Sequence, residues 1–395
     1  MLLEKPARIT SIDLLRGLIM VVMALDHSRF FLHTDEMTHD PLDLSYTTFI
    51  LFFTRWITHY CAPNFIFIAG ISAFLYGQKK GNNLTRFLVT RGLWLILLEL
   101  TLFKYLWTGH LFTNMFPILV IWAIGISMVF LAFWHKLPFG VILISGLAMI
   151  FLHNLTDSYN PDPTTAMGIV WTFLHKPQGV AIGNVHLFVL YSVLPYFGLI
   201  SVGYCFGRLY LPNVEPEKRQ RTLILSGIAC IVLFVVLRMF NLYGDPKPWV
   251  SFDYLWSTWA NYRFTFMSFV NTNKYPCSLL FILMTVGPAL IFLGLTEKFT
   301  NSFANFFITI GKVPMFFYIL HLCLLRGIGL LLGYFHPNPN LNSIAVNTPQ
   351  SSFNQYHLTT VYFAWLFVVP LLYFACSWYS KYKAANPEKW WLSYL

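Results

Sequence analysis

Ten apolar runs of near-spanning length recur along the 395-residue chain, and this recurrence constrains the fold most strongly. A transmembrane helix needs about 20 predominantly apolar residues. The chain is 57% hydrophobic and 11% charged, where a soluble domain has about a quarter of its residues charged. We therefore expect an all-α polytopic membrane protein, a single domain over residues 1–395 with about ten helices in one bundle. The runs lie near residues 11–31, 60–77, 88–107, 116–134, 138–153, 186–209, 222–242, 276–295, 313–333 and 359–380.

The charges of the connecting segments indicate the orientation of the bundle. With a cytoplasmic N-terminus, most Lys and Arg residues outside the runs fall on the inner side, so the positive-inside rule predicts that both termini are cytoplasmic. Long outer loops then lie near residues 32–58 and 243–275, and the first contains an amphipathic piece near Thr47–Trp56. A third outer loop, near 334–357, lacks charged residues and is expected to be mobile. The net charge of +10 is spread over many short segments, which predicts a lipid bilayer and no nucleic acid as partner.

The first run has ionisable side chains at both of its ends: Asp13, Arg16, Asp26, His27 and Arg29. At about 100° and 1.5 Å per residue, Arg16 and His27 share one face of a helix, about 20° apart in angle and roughly 16 Å apart along the axis. Such side chains persist inside a membrane where they pair or line a watery path. The first helix is therefore predicted to carry a functional polar face.

Later runs also contain polar or ionisable side chains: His59, Asn64, Arg91, Glu99, Arg238, His321 and Arg326. For any one of these, a structural pair is the simplest interpretation, and Arg91 with Glu99 is expected to form such a pair. The second run has small residues around Gly70, which predict close packing on a neighbouring helix. Its polar beginning, from His59 to Asn64, is expected to face the same vestibule as His27.

His27 and Asp26 are the strongest candidates for chemistry. Adjacent helical residues point about 100° apart, so these two side chains do not bond each other and each needs its own partner. A neutral imidazole beside a watery vestibule is suited to removing a proton from a hydroxyl or ammonium acceptor. Asp26 is expected to orient that acceptor or a second histidine, with His59 as the candidate.

Other classes of site and function receive less support. The cysteines are scattered singly, and His33, Asp35 and His39 are too loosely spaced to indicate a metal, so no metal is predicted. A secondary transporter of a small polar solute is the alternative function, because buried polar residues also mark transport pathways. Against it, the two halves of the chain show no corresponding pair of interrupted helices.

Several segments resemble known families. Arg16, ten intervening residues and His27, in the setting Ser-Ile-Asp-Leu-Leu-Arg-Gly, resemble the first-helix signature of transmembrane acyltransferases, including the acyltransferase-3 group. Further segments resemble the bacterial branch of the heparan-α-glucosaminide N-acetyltransferase catalytic family: residues 62–70, 202–208, 241–246, 274–280 and 311–321. The resemblance implies an integral enzyme of the bacterial inner membrane that moves an acetyl group from cytoplasmic acetyl-CoA to a sugar or glycan acceptor outside. It is compatible with a homodimer.

The resemblance also implies roles for individual residues. Arg16 would lie toward the CoA phosphates, and the spacing to His27 is comparable with an extended pantetheine arm. The further candidates for holding CoA are Asp13, Arg86, Arg91 and Lys312. The candidates for the acceptor or the oxyanion are Asn64, Lys274, Tyr275 and His321. Lysosomal members place their catalytic histidine in the first outer loop, where this chain has His33 and His39, so His27 ranks first as the base and His39 and His59 follow. Direct transfer and transfer through an acetyl-histidine are both compatible with these residues.

Overall fold

The computed structural model describes residues 9–33, 39–253, 257–299, 301–335 and 356–394. Helices dominate the described residues, so the all-α prediction is confirmed. Among these residues, each of the ten predicted runs contains a helix, a second short helix begins within the third run, and four further helices lie between the runs. In chain order the helices are α1 (Thr10–Leu32), α2 (Phe49–Trp56), α3 (Cys61–Lys80), α4 (Leu84–Leu98), α5 (Lys104–Thr108), α6 (Val120–Trp134), α7 (Phe139–Leu152), α8 (Ala166–Leu174), α9 (Leu194–Phe206), α10 (Pro216–Met239), α11 (Thr258–Val270), α12 (Leu279–Leu295), α13 (Ser302–Gly311), α14 (Pro314–Phe335) and α15 (Leu358–Ala385).

Helix length and apolar composition are sufficient for membrane crossing in five helical segments: Phe49–Lys79, Phe139–Thr156, Pro216–Met239, Pro314–Phe335 and Leu358–Ala385. Shorter apolar helices are α6, α12 and α13. α1 is not among these segments, because it carries too many charged side chains for a lipid-exposed helix. Most of its residues are buried instead, against α3, α12, α13, α14 and α15. The protein interior therefore shields the polar face of α1 from lipid.

A small sheet was not predicted. Strands β1 (Met115–Ile118), β2 (Gln178–Ile182) and β3 (Val185–Val189) form a sheet of order β1-β3-β2, with β1 parallel and β2 antiparallel to β3. The prediction of a helix over 186–209 is wrong for its first residues, since α9 begins at Leu194. A short apolar run such as β3 has the same composition as a helix end, and Gly183, with φ of 57°, turns the chain back from β2.

Close backbone approaches fix the position of α1. A Cβ atom on Gly17 would lie 1.8 Å from the carbonyl oxygen of Phe307, and one on Gly311 would lie 1.9 Å from that of Asp13. Only glycine permits this contact between α1 and α13. α13 itself lies in a segment that was predicted to be an inner connection.

The predicted close packing of the second run is confirmed. A Cβ atom on Gly70 of α3 would lie 2.2 Å from the carbonyl oxygen of Ile200 on α9. The amphipathic piece predicted near Thr47–Trp56 contains helix α2. Most of the loop predicted to be mobile, residues 336–355, lies outside the described residues.

Candidate active site

Two histidines meet at the C-terminal end of α1. Nδ1 of His27 lies 2.6 Å from Nε2 of His321 on α14, and the two rings lie edge to edge, with an interplanar angle of 15° and centroids 4.9 Å apart. His321 is fully buried, whereas His27 is partly exposed. Nδ1 of His321 lies 3.0 Å from the carbonyl oxygen of Phe317. Two residues that the sequence analysis assigned to different roles thus form one pair.

Two aromatic side chains enclose this pair. The Trp107 ring meets His27 edge to face, with centroids 4.9 Å apart. The Tyr318 ring lies 5.9 Å from His27 and 5.2 Å from His321, again edge to face. Neither aromatic residue was predicted. The sequence indicates Tyr318 only by its position, one helical turn before His321 within the family-like segment 311–321.

Asp26 is bound by two arginines. Its Oδ1 accepts a hydrogen bond from Arg29 at 3.1 Å, and its Oδ2 accepts one from Arg55 of α2 at 2.5 Å. The hypothesis that Asp26 orients His59 is wrong, because both ring nitrogens of His59 are buried and have no hydrogen-bond partner among the described residues. Arg55 was missed because it comes from a loop helix, and sequence spacing does not show which loop residue reaches α1.

A polar cavity of about 810 Å³ opens beside Asp26. Its walls include Arg29, Arg55, His59, Lys274 and Tyr275. The loop residues His39, Asp40, Asp43 and Lys247 also line it. His59 is 0% exposed, and within the described part of the chain its two ring nitrogens are polar groups of this wall whose hydrogen-bonding capacity is unused.

The segment that carries Lys274 and Tyr275 is held by buried polar contacts. Asp245 accepts hydrogen bonds from the backbone N–H of Asn273 at 2.8 Å and from the Ser278 hydroxyl at 2.9 Å. Burial raises the pKa of the Asp245 carboxyl, and these hydrogen bonds oppose the rise. Arg238 lies 3.8 Å from Asp245. This support gives the cavity wall a defined shape on the α10–α12 side.

An apolar cavity of about 430 Å³ runs along the other part of α1. Arg16, Met20 and Met23, one above the other on one face of α1, line it together with Arg91 and Tyr318. Arg16 donates hydrogen bonds to Asp13 at 3.0 Å, to the Ser72 hydroxyl at 3.0 Å and to the Gly311 carbonyl oxygen at 3.2 Å. Tyr318 of this cavity wall contacts both histidines, so the histidine pair lies directly behind the wall at this point.

A third cavity, which we call the annex, adjoins the apolar cavity and also measures about 430 Å³. The two share the lining residues Tyr76, Phe87, Arg91 and Tyr394. The annex adds Asn83, Arg86, Thr90 and Trp390. The Arg91 guanidinium lies 4.6 Å from the centre of the Tyr394 ring and 5.1 Å from that of Phe87. The annex is therefore a cationic, aromatic space at the opposite end of α1 from the polar cavity.

Asn64, Lys312 and His33 do not line the three cavities described above. The Asn64 amide donates to the carbonyl oxygens of Tyr60 at 2.8 Å and Thr285 at 3.2 Å, so it joins α3 to α12 instead of facing the vestibule. Lys312 directly follows α13 and does not line the cavities described above. His33 is buried and pairs through its backbone with Tyr356.

The expected pair of Arg91 and Glu99 is also wrong. Glu99 accepts hydrogen bonds from the backbone N–H groups of Leu119 at 3.2 Å and Trp122 at 3.3 Å, at the start of α6. Four free N–H groups at a helix start attract a carboxylate more directly than a distant guanidinium does. Among the described residues, no group of three or more His, Cys, Asp and Glu side chains could hold a metal ion.

Comparison with known proteins gives one match. The sequence profile of the family described as "Heparan-alpha-glucosaminide N-acetyltransferase, catalytic" matches residues 8–243, more than half of the chain. The matched region contains Arg16, His27, His59 and Arg91, and it ends before Lys274 and His321. No curated protein matches the chain significantly.

Proposed function

Because the chain belongs to the heparan-alpha-glucosaminide N-acetyltransferase catalytic family, a family of membrane acetyltransferases, we propose that it moves an acetyl group across the membrane. The donor is cytoplasmic acetyl-CoA, and the acceptor is an amino or hydroxyl group of a sugar or glycan on the outer side. The protein works in the bacterial cytoplasmic membrane with both termini inside. The observation that carries this proposal is the His27–His321 pair, which contacts Tyr318 of the apolar-cavity wall and follows directly on Asp26, the carboxylate that binds Arg29 and Arg55 of the polar-cavity wall.

The apolar cavity and the annex are the donor site. The guanidinium groups of Arg16, Arg86 and Arg91 bind the CoA phosphates, since guanidinium matches phosphate in charge and hydrogen-bond geometry. The pantetheine arm follows the face of Met20 and Met23. Along α1, Arg16 and His27 are roughly 16 Å apart, which suits an extended arm and brings the thioester to the histidine pair.

The polar cavity is the acceptor site. A neutral imidazole has one N–H donor and one lone pair, so His59 can both donate to and accept from a sugar hydroxyl. Lys274, Tyr275 and His39 add polar groups on the facing walls. Asp26 holds Arg29 and Arg55 in place, which fixes the floor of the acceptor site beside His27.

The reaction is direct transfer. Nε2 of His27 removes the proton from the acceptor N–H or O–H as that atom attacks the acetyl carbonyl carbon. The C–S bond then breaks, and His27 returns the proton to the leaving CoA thiolate, which departs as the thiol. Tyr318, which lines the apolar cavity and contacts both histidines, is the candidate hydroxyl donor for the oxyanion on the donor side, and Lys274 and Tyr275 are the candidates on the acceptor side.

The test replaces His27 with Ala. Purified protein is supplied with acetyl-CoA labelled in its acetyl group and with glucosamine as the acceptor probe. The variant should lose transfer by a factor of about 10²–10⁴, the usual contribution of a general base, while calorimetry finds unchanged binding of CoA. His186→Ala, on an exposed outer strand, is the control and should remain active. Normal turnover by His27→Ala would show that another group is the base, and solute uptake into vesicles without acetyl-CoA would favour a transporter.

A further inference from the structure

The histidine pair has a defined arrangement of protons. Nδ1 of His321 lies 3.0 Å from the carbonyl oxygen of Phe317. A carbonyl oxygen only accepts hydrogen bonds, so Nδ1 of His321 carries a proton and donates it. If His321 is neutral, its Nε2 then holds a lone pair.

His321 is neutral because its surroundings offer nothing to compensate a charge. It is 0% exposed, and its ring neighbours are His27, Phe317 and Tyr318. None of the carboxylates in the described part of the chain hydrogen-bonds to it. A buried imidazolium without a carboxylate partner is strongly disfavoured.

The tautomer of His27 follows from this arrangement. Because Nε2 of His321 holds a lone pair, Nδ1 of His27 carries the proton in the 2.6 Å hydrogen bond between the two rings. The lone pair of His27 is then on Nε2, which has no hydrogen-bond partner among the described residues. We infer that His321 is a positioning residue that holds His27 in the tautomer whose Nε2 can accept a proton.

This inference rests on the proposed function and changes the role expected for His321. Both nitrogens of His321 are already engaged, so it has no N–H left to stabilise an oxyanion or bind the acceptor. Asp26 cannot take over the positioning, because its two oxygens are bound by Arg29 and Arg55. When Nε2 of His27 takes the acceptor proton, the lone pair of His321 stabilises the resulting imidazolium through the same hydrogen bond, until the proton passes to the CoA thiolate.

Two substitutions separate positioning from packing. His321→Leu fills the volume but removes the acceptor atom, and it should lower kcat roughly 10- to 100-fold, a part of what a general base contributes. His321→Gln places an amide oxygen near the position of Nε2 and should recover most of that loss. Binding of CoA, measured by calorimetry, should be unchanged in both, and His135→Leu, at a half-buried histidine bonded to Thr85, should keep normal kcat. Full activity of His321→Leu, or equal loss in the Leu and Gln variants, would overturn the inference.

Nitrogen NMR of the unmodified protein provides a readout that does not depend on the activity of any variant, and a variant is needed only to assign the signals. Protein labelled with ¹⁵N in its histidine rings is compared with His27→Gln protein, and the signals lost belong to His27. We expect a protonated Nδ1 and an unprotonated Nε2 for His27. The opposite tautomer would overturn the positioning role even if His27→Ala is inactive. Activity of His27→Ala would instead contradict the proposed base and leave the tautomer result standing.

Discussion

The two cavities on either side of the histidine pair in the proposed mechanism differ in the chemistry of their walls. The cavity along Arg16, Met20 and Met23 is apolar over most of its length and has arginines and aromatic rings at its far end. The cavity beside Asp26 is lined by Arg55, His59 and Lys274 and is mainly polar. An apolar channel with a cationic end suits a long thiol arm with a phosphate head, whereas a wall of hydrogen-bonding groups suits a sugar. The contrast teaches that donor and acceptor can approach one base from opposite sides without sharing a pocket.

The largest effect on this comparison is expected from Arg91, which lines both the apolar cavity and the annex. Arg91→Met should raise the Kd for CoA roughly 10- to 100-fold, because a hydrogen bond to a charged group contributes about 1.5–3 kcal/mol. Isothermal titration with CoA measures the change. Arg221→Met, on the exposed start of α10, is the matched control and should bind CoA normally. If both variants bind CoA equally weakly, the net charge of the protein determines the affinity and the annex is not the binding site.

A smaller effect, on the acceptor instead of the donor, is expected from His59. His59→Leu should raise the KM for the acceptor roughly tenfold, the value of one or two neutral hydrogen bonds. The KM for acetyl-CoA should stay the same, since His59 lines only the polar cavity. Steady-state kinetics with each substrate varied in turn checks the split. A rise in the acetyl-CoA KM instead would contradict the division of the two cavities.

The smallest effect is expected from Trp390 in the wall of the annex. Its side chain is 74% exposed, so removing it should disturb packing little. Trp390→Ala should raise the KM for acetyl-CoA about fivefold, because stacking of a base on an aromatic ring contributes about 1–3 kcal/mol. Trp378→Ala, at an exposed tryptophan of α15, serves as the comparison. If the two variants behave alike, the annex does not hold the nucleotide.

Charge and hydropathy alone predicted much of this molecule. The cost of ionisable groups in a membrane made the two ends of α1 candidates, and His27, Arg16 and Arg91 do line or adjoin cavities. The contact of His27 with His321 could not be predicted, because the residues are 294 positions apart and meet only when α14 packs on α1. Spacing likewise gave no indication that Glu99 would bind the start of α6 instead of Arg91. Pairing partners depend on packing, whereas the presence of costly residues can be read from the chain.

The central claim is that the acetyl group crosses from a donor on one face of the membrane to an acceptor on the other. The most direct measurement uses sealed proteoliposomes with the protein in one orientation, acetyl-labelled CoA outside and membrane-impermeant glucosamine oligosaccharide trapped inside. The account predicts labelled acetyl sugar in the lumen, none with His27→Ala, and none with inverted protein. Labelled product that forms only when both substrates are on the same face would contradict it.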